Sequence, residues 1–193
     1  MTLIDHLERY LGEIEGGWSC NADGHQMPFQ VARFPLGSGS GTVSFATVGL
    51  SRYPLRDASG KEIRHELLMI VPERLREGVI PGLLQQVGQE SLSAARPLLR
   101  GDVIGPRGAL VAGSKMEAMY VAIPVYLPDD FAVYDDEQIV IAWLVPISPS
   151  EADFVKSHGW GVFEKCLVKA DPDLTDIFRP SLSTSVLEQL AKG

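Results

Sequence analysis

Thr42-Val-Ser-Phe-Ala-Thr-Val-Gly-Leu50 and, sixteen residues on, Glu66-Leu-Leu-Met-Ile-Val71 decide the fold. In the first, Val43, Phe45 and Thr47 alternate with Ser44, Ala46 and Val48, the period of two of a half-buried strand. The second is apolar throughout after Glu66 and is closed by Pro72, which reads as a central strand of a sheet. The next element is a helix. Pro81 stands where a helix can start, and Ile80, Leu84, Val87, Ala95 and Leu98 fall on one face of a helix running to about Leu99, which Pro97 distorts or ends early.

Upstream, Thr2 caps a first helix with Asp5 three residues on; Leu3, Leu7, Leu11 and Ile14 share a face, and Gly16-Gly17 ends it. Residues 18–28 read as irregular, and Gln30–Phe34 as a strand joined to Thr42–Leu50 through the Gly- and Ser-rich connection 35–41. Downstream, 52–61 is a polar loop and 101–113 a loop with a short strand at Val103-Ile104. Met119–Val125 and Gln138–Val145 are strands separated by an acidic segment, 129–137. A helix from Pro149 or Ser150 to about Ser157 breaks at His158-Gly159; another runs from about Trp160 to Lys169. Strands and helices do not alternate regularly, which excludes a doubly wound sheet. The expected class is α+β: a mixed, largely antiparallel sheet of about five or six strands with helices packed against it. We expect one domain over residues 1–182, with 183–193 as a tail or short helix.

The 193 residues are 45% hydrophobic and 22% charged, enough apolar content for a sizeable core. Seventeen basic against 25 acidic residues leave a net charge of −8, which repels phosphate backbones and anionic lipids and favours a basic partner over nucleic acid or membrane. Two cysteines, Cys20 and Cys166, make neither a disulfide framework nor a thiol-only zinc site; two reduced thiols are expected, with a single disulfide as the alternative. The first residues carry acids where a signal peptide has its apolar run. The longest apolar stretches, Ile139–Val145 and Leu67–Val71, fall far short of the ~20 residues of a membrane span. The expected location is the cytoplasm.

Several motifs resemble chemistry without completing it. Gly37-Ser-Gly-Ser-Gly41 leads into a strand, whereas a phosphate loop leads into a helix. Gly108–Lys115 has Ser before Lys, the reverse of the P-loop order. His65-Glu66 opens like a zinc-protease motif, but position 69 is Met, and the four histidines are scattered at 6, 25, 65 and 158; no metal and no cofactor is expected. His65 reads as a hydrogen-bonded polar residue at a strand start. Cys166, beside Phe163 and Leu167, reads as a buried, inert thiol. The acidic segment holds Asp129, Asp130, Asp135, Asp136 and Glu137 with Phe131 and Tyr134 among them. Its plain reading is a solvated turn; its functional reading is a docking surface for a basic partner, with the two rings as apolar anchors.

Several segments together resemble the suppressor of fused domain family: Thr47-Val-Gly-Leu-Ser51, Arg64-His-Glu-Leu-Leu-Met69, Gly101-Asp-Val-Ile104, Ala142–Ser148 with Glu151, Gly159 with Phe163-Glu164, and Asp176 with Arg179-Pro-Ser181. The resemblance implies an α+β domain without an established catalytic activity. The animal member restrains a zinc-finger transcription factor, holding an extended peptide by strand pairing in a cleft between two lobes. Stand-alone bacterial members resemble immunity proteins of polymorphic toxin systems. This chain has the length of one lobe, so the two-lobed cleft is not carried over. By their chemistry, Arg64 could pair with Glu66, and Arg179 could anchor the C-terminal loop through an acid. The expected function is a non-enzymatic protein-binding domain, an immunity-type inhibitor of a protein toxin. The alternatives are a small hydrolase using His65 and Glu66, and a structural or oligomeric protein.

Overall fold

The structure, a computed structural model, describes residues 2–36, 41–76, 78–134 and 138–192. In chain order the elements are α1 (Leu3–Leu11), β1 (Gly16–Cys20), β2 (Gln26–Phe34), β3 (Thr42–Val48), β4 (Leu55–Arg56), β5 (Glu62–Pro72), α2 (Ile80–Ser93), β6 (Val103–Ile104), β7 (Ala118–Ala122), β8 (Val133–Tyr134), β9 (Ile139–Ile147), α3 (Pro149–His158), α4 (Trp160–Ala170) and α5 (Thr184–Lys192). Residues 37–40 of the Gly- and Ser-rich connection and 135–137 of the acidic segment lie outside the described residues. The chain divides into two compact units, residues 1–98 with 123–143, and 99–122 with 144–193.

In the first unit β1, β2, β3 and β5 form an antiparallel run, and β5 then pairs parallel with the start of β9, Arg64 opposite Ile139 and Leu68 opposite Trp143. β4 and β8 add short antiparallel pairs to β5 and β9. The class is α+β with a mixed, mostly antiparallel sheet, as expected. The strand number is higher, nine among the described residues: β6 is the short strand expected at Val103-Ile104, whereas β4 and β8 are two-residue pairs too short to show a period. β1 also lies partly in the stretch read as irregular. There Asn21 accepts the amides of Asp23 (3.1 Å) and His25 (2.9 Å) through its side chain, an Asx turn that closes the β1–β2 hairpin.

Leu67 to Val71 are fully buried, as a strand with both faces covered must be. α2 packs on β2, β3 and β5 through Ile80, Leu84 and Val87. It stops at Ser93, short of Pro97, so Ala95 and Leu98 are not on its face. α1 carries the expected capping box, Thr2 with Asp5, and buries Leu7 and Leu11. It ends at Gly12, earlier than Gly16-Gly17, and leaves Ile14 exposed.

In the second unit β6 pairs antiparallel with β7, Val103 opposite Tyr120. The Glu117 amide donates to the Ile147 carbonyl at the end of β9 (3.1 Å). Met119 to Ala122 form the strand expected over 119–125, but the chain leaves it after Ala122. α3 begins with a second capping box, Ser148 with Glu151, and Pro149 in its first turn. α4 and α5 meet through Cys166 and Leu187. Residues 184–192 are therefore a docked helix. Both cysteines are free thiols, Cys20 exposed and Cys166 buried.

Candidate functional site

The acidic segment opens with Pro128, and Asp129–Phe131 make a single 3₁₀ turn leading into β8. Pairing of β8 with β9 sets Tyr134 opposite Ile139 and turns its ring to the core. Phe131 is buried beside it. The His6 ring of α1 stacks on Phe131 (5.8 Å between centroids) and lies 5.4 Å from Tyr134. His6 Nε2–H donates to the Phe131 carbonyl (3.1 Å), and Tyr10 meets Phe131 edge-on at 5.5 Å. Phe131 and Tyr134 thus sit in the interior and fix the turn to α1 and β9; they are not exposed anchors in this arrangement. Asp129 and Asp130 point into solvent, while Asp135, Asp136 and Glu137 lie outside the described residues. A partner approaching this turn meets carboxylates, not rings. The unit that carries it holds sixteen acidic and nine basic residues, a net −7 of the chain's −8. The negative field is therefore concentrated on one unit.

His65 and Glu66 are neighbours on β5 and so project to opposite faces. They do not form the pair that the hydrolase alternative requires. His65 is 2% exposed, and its Nε2 has no hydrogen-bond partner among the described residues. Burial pushes its imidazole down to about 4. The expected hydrogen-bonded histidine is instead a neutral ring used as core filler.

Glu66 does not pair with Arg64, whose guanidinium goes to Glu62 (3.0 Å) and to the Ser51 carbonyl (3.2 Å). The Glu66 carboxylate reaches across to β3 and the turn after it. It accepts from the Thr47 hydroxyl (2.6 Å), the Ser51 hydroxyl (2.7 Å) and the amides of Gly49 (2.9 Å), Leu50 (3.2 Å) and Ser51 (3.1 Å). Burial raises the affinity of this carboxyl for a proton, and the Thr47 and Ser51 donors oppose that shift. Gly49 sits at φ +98°, left-handed backbone that suits glycine.

The second unit has two clusters. Arg179 pairs with Glu151 of α3 at 2.7 and 2.9 Å, both side chains being buried, and also donates to the carbonyls of Pro146 and Pro180. This is the acid expected to hold the C-terminal loop. The other cluster was missed in the sequence. Glu164 of α4 takes both Arg100 and the Tyr120 hydroxyl (2.7 Å), while Arg100 lies over the half-exposed Trp160 ring at 4.6 Å. Burial and the neighbouring Glu164 keep the Tyr120 hydroxyl protonated. A signal existed in Gly101: a Cβ there would stand 2.6 Å from the Trp160 ring, so that position has room only for glycine.

Among the described residues no group of three His, Cys, Asp or Glu side chains could hold a metal ion. No helix there is long and apolar enough to cross a membrane.

The family model described as suppressor of fused protein matches residues 25–180. Three solved structures share the fold. A suppressor of fused homolog from Neisseria gonorrhoeae superposes with a TM-score of 0.72 at 20% identity, over 92% of both chains. A chain of the Sufu–Fu complex superposes at 0.70 and 17% identity, covering 98% of this chain and 93% of that one. Drosophila Suppressor of Fused gives the same score and identity, with 98% of this chain matching 53% of it, so the chain spans about half the length of that protein. No protein of curated function matches.

Proposed function

Because the chain belongs to the suppressor of fused family, we propose that it is a non-enzymatic protein-binding domain, acting in the cytoplasm as an immunity-type inhibitor that covers a basic toxin protein. The family membership carries this reading, and the capture of one structural neighbour in a complex with another protein supports it. The partner's charge is inferred from the first unit, whose net −7 would attract a basic surface over a Debye length. Asp129 and Asp130, exposed on a turn pinned by buried rings, together with Asp135, Asp136 and Glu137 of the same segment, are the proposed docking carboxylates. Nuclease toxins, which must grip phosphates, are basic in this way.

The test is co-expression with the product of each gene flanking its own. One basic product should arrest growth alone and lose that effect when this chain is present and bound. If no neighbouring product is both bound and neutralised, the immunity reading fails. With such a partner in hand, changing the five carboxylates to Asn and Gln should leave folding intact; the charges of the exposed Asp129 and Asp130 contribute little to stability. Association at low salt should slow by about tenfold or more, with a flatter salt dependence. An unchanged on-rate would reduce the segment to a solvated turn.

A further inference from the structure

Glu66 is a fully buried carboxylate that, among the described residues, has no cationic partner. A charge in that position is tolerated only when its lone pairs are filled, and here five donors fill them: three on Oε1 and two on Oε2. The donors come from a short stretch, Thr47 to Ser51, and the dependence runs both ways. The amides of Gly49, Leu50 and Ser51 donate to Glu66 and, among the described residues, to no backbone carbonyl, while the next two amides, Arg52 and Tyr53, close the turn onto the Gly49 and Leu50 carbonyls. Leu50 and Ser51 are buried, so removal of the carboxylate leaves buried donors without an acceptor. Their remedy is water, which reaches them only if the turn opens.

Apart from the Leu67 amide, which donates to the Thr47 hydroxyl (2.8 Å), the rest of the sheet does not share this dependence. β3 and β5 stay in register through Val43–Val71, Phe45–Met69 and Ala46–Leu68, with apolar side chains buried on both faces. At the far end of the turn, Arg52, Tyr53 and Pro54 are exposed. Outside the Glu66 contacts the turn is held by the buried Leu50 side chain, by its own Arg52 and Tyr53 amides, by Arg64 on the Ser51 carbonyl (3.2 Å) and by a long contact from the Tyr53 hydroxyl to the Pro28 carbonyl (3.5 Å).

We propose that the Glu66 carboxylate is a built-in latch for the surface turn Gly49–Pro54: seated, it holds the exposed Arg52, Tyr53 and Pro54 in one arrangement, and without it the turn opens while the β3–β5 ladder stays paired. Glu66 is then a positioning residue, a side-chain carboxylate occupying a nest of backbone and hydroxyl donors. This holds whether or not the acidic segment docks a partner.

Hydrogen exchange on the full chain tests it. In Glu66→Ala the amides of Gly49, Leu50 and Ser51 should exchange faster by about tenfold or more, as for loss of a buried acceptor, with Phe45 and Met69 unchanged. Formate, small enough for the vacated space, should restore their protection at about 100 mM by mass action, and chloride at equal ionic strength should not. A lost packing contact would show no such preference for formate. If Glu66→Ala does not fold in chloride, folding in formate carries the same test. Ser51→Ala, which keeps the carboxylate and removes one donor, should speed exchange at Gly49 and Leu50 by a smaller factor. Wild-type exchange at residues 49–51 in Glu66→Ala, a uniform rise over the whole sheet, or formate acting no better than chloride would each overturn the latch.

Discussion

Removing one partner of the Glu151–Arg179 pair should cost more than removing both. The pair is bidentate at 2.7 and 2.9 Å, with side-chain exposures of 0% and 3%, so neither charge is screened by solvent. In Glu151→Gln the amide oxygen can still take the Ser148 amide of the capping box (2.8 Å in the wild type), which isolates the effect of charge. The guanidinium cannot shed its proton; it keeps neutral acceptors, that amide oxygen and the Pro146 and Pro180 carbonyls, but loses its counter-charge. A stranded buried charge costs about 3–5 kcal/mol. Arg179→Met keeps much of the volume and leaves a carboxylate still served by the Ser148 and Leu182 amides, so its cost should be smaller, about 2–3 kcal/mol. The double variant has no charge to strand and should lose only about 1 kcal/mol. The coupling between the two positions is then about 4–7 kcal/mol, several times the error of a double-mutant cycle.

Urea unfolding of the four proteins, followed by helical ellipticity, reads this directly, because α3, α4 and α5 all belong to the unit that contains the pair. At about 2–4 °C per kcal/mol for a chain of this length, Glu151→Gln should melt about 10 °C below wild type. Single losses that add in the double variant would refute the idea that the two side chains act as one unit. A Glu151→Gln cost below about 1 kcal/mol, the range of exposed pairs, would refute their desolvation.

His65 gives a pH dependence of definite sign. Its folded pKa of about 4 lies below the ordinary 6.5, so between these values the unfolded chain binds a proton that the folded one refuses; stability should fall as pH drops through that window, by up to about 3 kcal/mol. His65→Phe should flatten this part of the profile in urea titrations, and superimposable profiles would count against a buried neutral ring. Two glycines of α2 should respond in opposite directions: a Cβ at Gly88 would stand 2.5 Å from the Phe29 ring, whereas at Gly82 nothing lies within 4 Å. Gly88→Ala should destabilise by about 1–3 kcal/mol despite its better helix propensity and Gly82→Ala should stabilise by up to about 1 kcal/mol; equal effects in thermal melts would contradict this packing of α2.

What was legible in the sequence was what depends on periodicity and local chemistry. The alternation in 43–48, the unbroken apolar run 67–71 and the Thr2–Asp5 capping box each lie within one element, so their structural meaning is local. The two-residue strands β4 and β8 were not legible, since a period of two needs more than two residues to show itself. The inward turn of Phe131 and Tyr134 was not legible either. Aromatic residues among five carboxylates look like surface anchors, and only the arrival of His6 from the other end of the unit gives them a core to enter. His65 illustrates the same limit. A histidine beside a glutamate suggests a shared site, but on a strand adjacency means opposite faces.

The segments that carried the family resemblance are largely those that the structure uses as internal clamps. Thr47 to Ser51 and Glu66 close on each other. Glu151 and Arg179 do the same, and Gly101 and Glu164 both serve the Trp160–Arg100 stack, one by making room and the other by fixing the cation. Each clamp joins residues between fifteen and 64 positions apart, and in each the charged group is held by a particular partner. Such groups tolerate replacement poorly, because one member removed strands the other. A resemblance built on them therefore reports a shared scaffold. Exposed residues such as Asp129, Asp130, Arg52 and Tyr53 carry no such penalty and are free to follow a partner. Membership in the family consequently predicts the fold of this chain better than the identity of what it binds.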